Sequence, residues 1–405
     1  MQDNEKKPAL RFKGFTDPWE QRKLDEIANF SKGVGYSKND LCEEGTPIIL
    51  YGRLYTKYET SIFDVDTFVK EKAGSVYSKG GEVIVPASGE TAEDISIASV
   101  VVKPGILLGG DLNIVSPTTE YDSAFLALTI SSGAAHEYLS SLAQGKSVVH
   151  LHNADIQSVS AKFPTKREQE KIHLLFGKID TLITLHQRKY EKLVNIKKSM
   201  LDKMFPQNGA SVPEIRFKGF TDPWEQRKVG TLIEDYTEKT VTQNQYPVLT
   251  SSQQQGIVLQ EDYFADRQVT TDNNVGYYVL PKGYFTYRSR SDTDVFVFNR
   301  NNIVDKGIIS YYYPVFAPKS CDSNFLLRRL NHGIKKQLSM AAEGTGQKVL
   351  AHAKFKNMVV DVPSQSEQEK IGTILEELDT LITLHQRKLE KLQNIKKSCL
   401  EKMFV

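Results

Sequence analysis

The sequence RFKGFTDPWEQRK at Arg11–Lys23 recurs without a single change at Arg216–Lys228. A second block, EQEKIHLLFGKIDTLITLHQRKYEKLVNIKKSMLDKMF at Glu168–Phe205, recurs at most of its positions in Glu367–Phe404. Duplication of this kind decides the architecture before any single motif does. The chain therefore consists of one unit that occurs twice, with the same ends and largely different interiors.

The interiors, residues 24–163 and 229–362, predict two copies of one mixed α/β fold with two different surfaces. Short β-rich runs bounded by Gly and Pro indicate strands, and one longer run in each copy predicts a helix with Asp or Ser as its N-cap. In the first copy the strands are Thr46–Tyr51, Glu82–Pro86, Ile95–Val102 and Leu112–Val115, and the helix is Asp122–Leu142. In the second copy the strands are Gln245–Thr250, Gly283–Tyr287, Val295–Phe298 and Gly307–Val315, and the helix is Ser323–Ala342.

Each copy ends in a segment that predicts one long helix. From Thr165 to Met204 there is no Pro and only one Gly, and apolar residues recur every three or four positions. The two stripes are Ile172, Leu175, Ile179, Leu182, Leu193, Ile196 and Met200, and Ile371, Ile374, Leu378, Leu381, Leu392, Ile395 and Cys399. Because such a stripe is unfavourable in water, we expect the helices to pair as an antiparallel coiled coil with pseudo-two-fold symmetry.

The resulting fold class is α+β, with two pseudo-repeated mixed α/β modules that are each followed by a long helix. The predicted boundaries place the first module at 1–163 and the first helix at 164–206. The second module then spans 207–362, and the second helix spans 363–405.

Composition excludes several classes of protein. Lys and Arg total 52 against 50 Asp and Glu, so the net charge of +2 excludes a uniformly basic chain, although a local basic face remains compatible with it. Three scattered cysteines, Cys42, Cys321 and Cys399, do not form a disulfide framework or a structural zinc motif. No apolar run approaches the length of a membrane span and the first residues lack an apolar signal core, so we expect a cytoplasmic protein.

The chain carries no motif of an autonomous enzyme. The Gly145-Lys146-Ser147 triplet lacks the glycine that a phosphate loop requires five residues earlier, because position 140 is Ser. A short Asn/Asp-Pro-Pro-aromatic motif, which an adenine methyltransferase would need, is absent. The acidic residues near Glu90 and Asp292 have no Lys or His partner common to both copies. We therefore predict no catalytic residue and no metal ligand.

Two different modules on a rigid spacer suit sequence-specific DNA recognition, which needs groove-reading side chains at a fixed separation. Arg reads guanine through two hydrogen bonds, Gln reads adenine, and Ser, Thr and Lys suit phosphates. The predicted DNA-binding residues are polar, aromatic or basic residues of loops at which the copies differ. They are Tyr51, Arg53, Tyr55, Ser88, Thr91, Lys146 and Ser147 in the first module, and Ser252, Gln253, Gln254, Gln255, Tyr287, Arg288, Arg290, Thr345, Gln347 and Lys348 in the second.

Three features together resemble the specificity subunit of a type I restriction-modification enzyme. They are the order of the repeated blocks, the phrase that ends in Trp19-Glu20 and Trp224-Glu225, and the Pro-x-x-x-Glu-Gln-x-x-Ile start of each long helix at 164–172 and 363–371. The resemblance covers essentially the whole chain. It implies two target recognition domains, each reading one half of a bipartite, asymmetric double-stranded DNA target, and two spacer helices that fix the gap.

The resemblance also implies that catalysis belongs to other chains. Two modification subunits would use S-adenosylmethionine to methylate adenine N6, and two restriction subunits would translocate and cleave DNA with ATP and Mg²⁺. The outer faces of residues 168–204 and 367–403 would receive helices of the modification subunits. No cofactor is then expected on this chain.

Two other classes of protein compete with this interpretation. A coiled-coil scaffold with duplicated protein-binding modules explains the repeat, but it gives no reason for near-identical frameworks around unrelated interiors. An autonomous nuclease or methylase requires a motif that the sequence does not contain.

Overall fold

A computed structural model describes residues 7–145, 148–207, 210–264, 273–293 and 295–404. The chain divides into two compact units, Met1–Gln187 with Arg387–Val405, and Arg188–Gln386. Each unit therefore contains one mixed module, the first half of one long helix and the second half of the other. This division follows compactness, and the boundaries drawn from the sequence stay a prediction.

The described part of the first unit contains one five-stranded sheet, one four-stranded sheet, two two-stranded pairs and several short helices. Its strands are β1 Glu20–Lys23, β2 Ala28–Lys32, β3 Leu41–Cys42, β4 Thr46–Ile49, β5 Ser61–Ile62, β6 Phe68–Val69, β7 Glu82–Pro86, β8 Ser88–Gly89, β9 Ser99–Val101, β10 Leu107–Leu108, β11 Leu112–Pro117, β12 Val149–His150 and β13 Ser160–Phe163. Its helices are α1 Leu24–Ile27, α2 Arg53–Thr56, α3 Ala92–Ile95, α4 Ser123–Ile130, α5 Gly133–Leu142, α6 Asn153–Gln157 and the first part of α7 Lys166–Lys203.

The larger sheet of this unit has the order β2-β11-β7-β9-β5, with only the β5–β9 pair parallel. Strand β7 reads EVIVP and is buried at every position, which suits a central strand covered on both faces. A second sheet has the order β10-β4-β6-β3. Helix α4 packs on the larger sheet, and Phe125 lies in the core between them.

The second unit repeats the plan with different details. Its strands are β14 Glu225–Lys228, β15 Ile233–Tyr236, β16 Leu249–Ser252, β17 Gly256–Leu259, β18 Tyr278–Pro281, β19 Phe285–Tyr287, β20 Arg290–Ser291, β21 Phe298–Arg300, β22 Lys306–Ile309, β23 Val315–Pro318, β24 Lys348–Val349 and β25 Val359–Val362. Its helices are α8 Gln260–Tyr263, α9 Ser323–Asn331, α10 Lys335–Ala341, α11 His352–Lys356 and the first part of α12 Gln365–Met403. The main sheet is antiparallel with the order β15-β23-β19-β21.

The prediction of one helix in each module is wrong in one respect, because the structure has two shorter helices there. Asp122 is the N-cap of α4, as expected, and its side chain accepts a hydrogen bond from the N–H of Phe125. The break lies at Ser131 and Ser132, directly before Gly133, the first residue of α5, whose φ of +57° is a left-handed backbone that cannot continue the right-handed helix α4. In the second unit Gly333, with φ +116°, separates α9 from α10 in the same way.

Two predicted strands also need correction. Residues 95–102 do not form one strand, because Ile95 ends helix α3 and only Ser99–Val101 pairs in the sheet. Residues 307–315 form parts of two strands, β22 and β23, with a non-strand segment between them. Periodicity did not reveal these breaks, since both segments are rich in apolar and β-branched or aromatic residues on each side of the break.

The Glu-Gln pair at the start of each long helix ties the helix to its module. Gln169 donates from Nε2 to the carbonyl of Pro164 at 2.8 Å and accepts from the N–H of Asp122 at 2.9 Å. Glu168 is fully buried and accepts two hydrogen bonds from Arg11. In the second unit the corresponding residues Pro363, Asp322, Gln368, Glu367 and Arg216 make the same contacts.

Inside each unit the two helix halves run antiparallel, which confirms the predicted direction. In the first unit the ring of Phe404 lies 6.1 Å from that of Phe176, whereas Lys396 Nζ is 2.6 Å from Asp180 Oδ1. A later residue on one helix thus meets an earlier residue on the other. The second unit contains the equivalent ion pair, Lys197 with Asp379.

The apolar stripes are only partly buried. Ile172 and Ile179 are buried, and Ile172 belongs to the core of the first module. Leu182 is 43% exposed and its counterpart Leu381 is 42% exposed. The first turns of the stripes thus also pack on the module, and their middle turns leave leucines accessible.

Candidate nucleic-acid interface

The second unit contains an open groove of about 800 Å³ formed by segments that are distant in sequence. The hairpin β16–β17, the segment around β20 and the chain before β24 all contribute to it. Six of the ten residues predicted in this module line the groove: Ser252, Gln253, Gln254, Arg288, Arg290 and Gln347. The structure thus brings together candidates from all three predicted loops.

The turn of the β16–β17 hairpin presents a run of amides. Gln253, Gln254 and Gln255 are exposed. Ser252, in contrast, is buried, and its Oγ accepts hydrogen bonds from the N–H groups of Gln254 and Gln255, both at 3.2 Å. The hydroxyl of Ser252 therefore shapes the turn that displays the glutamines, and a contact of Ser252 with DNA stays a prediction.

Strands β20 and β24 form a two-stranded antiparallel ribbon, with Arg290 opposite Val349. Arg290 is exposed, and its guanidinium carbon lies 4.1 Å from the centre of the Tyr312 ring. This is a cation–π contact, which orients the planar guanidinium without using its hydrogen-bond donors.

A carboxylate organises the neighbouring part of the groove. Arg288 Nη1 lies 3.9 Å from Asp292 Oδ2, and Gln347 donates from Nε2 to Asp292 Oδ1 at 3.0 Å. Thr345 is exposed, and Lys348 is half-buried on β24. Asp292 therefore partly offsets the charge of Arg288 and fixes Gln347.

The predicted role of Tyr287 is wrong, because its side chain is fully buried in the core of the second unit. Its ring lies 4.9 Å from that of Phe298, and its hydroxyl is 3.3 Å from His352 Nδ1. Burial raises the pKa of Tyr287 strongly. A side chain without accessible surface does not contact a ligand outside the core.

Aromatic residues that the sequence analysis did not select also line the groove. They are Tyr263, Phe264, Tyr277, Tyr311, Tyr312 and Tyr313. Three of them are consecutive and lie between β22 and β23, in a segment whose apolar character predicted a strand. The run of three tyrosines was the available signal, since Tyr combines a flat apolar ring with a polar hydroxyl.

The first unit has an equivalent ribbon with different side chains. Strand β8 pairs with β12, and Ser88 stands opposite His150 as Arg290 stands opposite Val349. Ser88 is buried and its Oγ is 3.0 Å from His150 Nδ1. Ser88 is thus engaged inside the protein, which corrects its predicted role. Two further candidates, Lys146 and Ser147, lie outside the described residues.

Thr91 has a local structural function. It is the N-cap of α3, and its Oγ1 accepts a hydrogen bond from the N–H of Asp94 at 3.1 Å. The Asp94 side chain accepts in return from the N–H of Thr91, so the pair forms a capping box. Thr91 is exposed, but its hydroxyl is already used as an acceptor.

Arg53 does not have the free guanidinium that a guanine reader needs. Its side chain is only 8% exposed and is paired with Asp66 at 2.7 Å and with Glu59 at 2.8 Å. A hydrogen bond from Lys57, with others from the Asp66 backbone and from Arg53, lowers the pKa of Asp66 to about 2. Arg53 therefore holds the loop together, and its predicted base contact is corrected.

Tyr51 and Tyr55 flank Arg53 and remain partly accessible. Their ring centres are 6.3 Å apart. Burial, and then the neighbouring Tyr51, Glu90 and Asp94, raise the pKa of Tyr55. These two rings are the described first-module candidates that keep an accessible apolar face.

The part of the chain that the structure describes contains no group of three His, Cys, Asp or Glu residues placed to hold a metal ion. Among its helices, none combines the length and the apolar character that crossing a membrane requires.

Residues 16–195 and 222–394 match the family described as the type I restriction modification DNA specificity domain. The two matches cover most of both repeated units, and the chain belongs to this family.

Two relatives illustrate the match. The MjaVIII specificity subunit of a type I restriction enzyme from Methanocaldococcus jannaschii is 21% identical over 82% of this chain and 80% of its own length. The crystal structure of a type I restriction-modification S subunit from M. genitalium is 14% identical, with a TM-score of 0.62 over 98% of this chain and 99% of that chain. The second comparison supports the fold alone.

Proposed function

We propose that this chain is the non-catalytic DNA-recognition subunit of a type I restriction-modification complex in the cytoplasm. Each module reads one half of a bipartite, asymmetric double-stranded target. The two long helices fix the number of base pairs between the halves. Modification subunits dock on these helices and, with restriction subunits, supply the chemistry.

One observation carries the proposal: equivalent ribbons in the two modules present different side chains. Arg290 is exposed on β20, whereas Ser88 is buried at the corresponding place on β8. Elements of the framework recur in both modules, including the Arg-Glu pairs at the start of each long helix. A constant framework with variable display sites is the pattern that two different half-sites require.

The second groove has the chemistry of a DNA contact surface. Exposed Gln253 and Gln254 offer paired donors and acceptors, Arg288 and Arg290 offer charge, and tyrosine rings offer flat surfaces. Base readout depends on such forked polar side chains, while phosphates are bound through charge. The near-zero net charge of the chain is compatible with this arrangement, because a local basic surface can be balanced by acidic groups elsewhere.

The long helices keep accessible leucines that suit a protein partner. Leu182 and Leu185 are exposed on α7, and Leu381 and Leu384 are exposed at the corresponding turns of α12. Repetition at equivalent positions favours two copies of the same partner. The modification subunits are this partner in the proposal. They would use S-adenosylmethionine, while the restriction subunits would use ATP and Mg²⁺.

Mapping methylated adenines in DNA after co-expression with modification subunits tests the proposal. We expect two different short half-sites separated by a fixed gap. Exchanging residues 24–163 for those of another specificity subunit should change one half-site only, and exchanging residues 229–362 should change only the other.

Two results would count against the proposal. If either exchange altered both half-sites, modular readout would be wrong. If the wild-type complex assembled but methylated no defined sequence, a scaffold with duplicated protein-binding modules would explain the repeat better.

A further inference from the structure

We propose that Arg290 is the side chain with which the second module selects a guanine in its half of the target, and that Tyr312 is its positioning residue. The inference rests on the proposed function, because it names a base and a residue within the same recognition surface.

Arg290 differs from Arg53 and Arg288 in the group that contacts its guanidinium. Arg53 is neutralised by two carboxylates, and Arg288 lies 3.9 Å from Asp292. Within the described ranges, Arg290 has no carboxylate partner and contacts the Tyr312 ring instead. Stacking on a ring face leaves the edge of the guanidinium, which carries the N–H donors, available for a ligand.

Tyr312 is itself held in place. Its carbonyl accepts hydrogen bonds from the N–H of Ser289 at 3.1 Å and from Ser289 Oγ at 2.6 Å. The Ser289 carbonyl in turn accepts from the N–H of Leu350, the residue after β24. The backbone of Tyr312 is thus linked to residues next to both strands of the ribbon, and its hydroxyl accepts a further hydrogen bond from Tyr311 at 3.0 Å.

A held guanidinium fits guanine better than it fits the other bases. In the major groove guanine presents the acceptors O6 and N7 side by side, and the fork of an Arg side chain matches both. Holding the side chain before binding reduces the conformational entropy lost on binding. A phosphate contact needs only the charge, so an arginine pre-oriented in a groove with exposed glutamines indicates base readout.

The described ribbon of the first module has no arginine at this place. Ser88 occupies the position equivalent to Arg290, and its hydroxyl is engaged with His150. The guanine preference that depends on Arg290 should therefore be confined to one half-site, and the other half-site serves as a control within the same experiment.

The test uses the full chain co-purified with modification subunits and a library of randomised DNA duplexes. For Arg290→Gln, we expect the preference for guanine at one position of one half-site to fall roughly 5- to 150-fold, the range for losing one bidentate contact. Tyr312→Leu should reduce the same preference by a smaller factor. The matched variant Arg288→Gln should weaken binding to all DNA sequences alike. Because Arg288 lies beside Asp292, we expect it to contribute charge and not base selection.

Several results would overturn the inference. If Arg290→Gln weakens binding to all DNA sequences equally, Arg290 contacts a phosphate and does not read a base. If it keeps the guanine preference, another residue reads the base. Arg290→Lys keeps the charge and guards against misfolding; because Lys also contacts guanine but lacks the planar fork, its guanine preference should fall between those of wild type and Arg290→Gln, and a preference as low as in Arg290→Gln with unchanged overall affinity would still support base readout. A wild-type complex without any sequence preference would instead refute the proposed function itself.

Discussion

Arg11 and Glu168 lie 157 residues apart in the chain and are joined by two hydrogen bonds of 2.7 Å, from Nε and Nη2 to the two carboxylate oxygens. The second unit repeats the pair as Arg216 and Glu367 with the same two distances. Each arginine comes from the first repeated block and each glutamate from the second. In each unit an arginine of the first block thus pairs with a glutamate of the second block, which explains why the two blocks are repeated together.

Removing one partner of this pair should destabilise its unit strongly. Arg11→Ala leaves the carboxylate of Glu168 buried without a counter-charge, and a broken buried pair typically costs about 3–5 kcal/mol. We expect a loss of this size in the free energy of unfolding of the first unit, measured by chemical denaturation. Arg216→Ala should do the same to the second unit. A loss below about 1 kcal/mol in both variants would show that the pairs are not structurally important.

The phenylalanines that follow the two long helices should differ in their contribution to stability. Phe205 is fully buried, stacked on Phe325 at 5.8 Å, whereas Phe404 is half-buried and stacked on Phe125 at 5.4 Å. Phe205→Ala should destabilise the second unit by about 3–5 kcal/mol, the usual cost of deleting a buried phenylalanine. Phe404→Ala should cost the first unit about half of that. Equal losses in thermal or chemical unfolding would contradict this ranking, which follows from burial.

His173 gives the first unit a pH dependence that the equivalent position of the second unit does not supply. Its Nδ1 lies 3.2 Å from Asp122 Oδ2, and this hydrogen bond raises the pKa of His173 above 6.5 although burial opposes it. A raised pKa in the folded state means that the stabilisation is complete below about pH 6.5 and is lost as the pH rises through the raised pKa. The corresponding residue of the second unit is Gly372, where an added Cβ would lie 2.3 Å from Asp322 Oδ1.

The measurement compares the melting temperature of the first unit in wild type and in His173→Gln between about pH 5.5 and 8.5. The stability difference in favour of wild type should shrink as the pH rises. Asp122 does not produce this trend: burial raises its pKa, the hydrogen bond with His173 outweighs burial, and the net pKa lies below 3.8. A difference that stays constant over this range would remove the assigned role of His173.

The sequence predicted the features that repeat and missed those that depend on tertiary partners. Asp122 and Asp322 cap their helices as expected from residue type and position. Gly133 and Gly333 divide those helices because of a left-handed backbone that periodicity cannot detect.

Arg53 and Arg290 show why candidate contact residues were harder to predict than the fold. Both are arginines of segments at which the modules differ, and the sequence predicted both segments to be loops. Glu59 and Asp66 occupy the guanidinium of Arg53, whereas a tyrosine ring supports that of Arg290. The fold of each module brings these partners together. The pattern of residue types along the sequence does not show which side chains will meet.

Lengthening the helices between the two units should change the gap in the DNA target while leaving both half-sites intact. Insertion of one heptad after Gln187 and another after Gln386 falls at the boundaries between the compact units, so contacts such as Asp180–Lys396 and Lys197–Asp379 are kept inside each unit. Seven helical residues add about 10 Å, or about three base pairs of duplex. Methylation mapping should then find the same two half-sites with a gap longer by about three base pairs.

Insertion in one helix alone should change the gap differently or abolish methylation, because the two helices then differ in length. If the double insertion left the gap unchanged, the helices would not set the spacing.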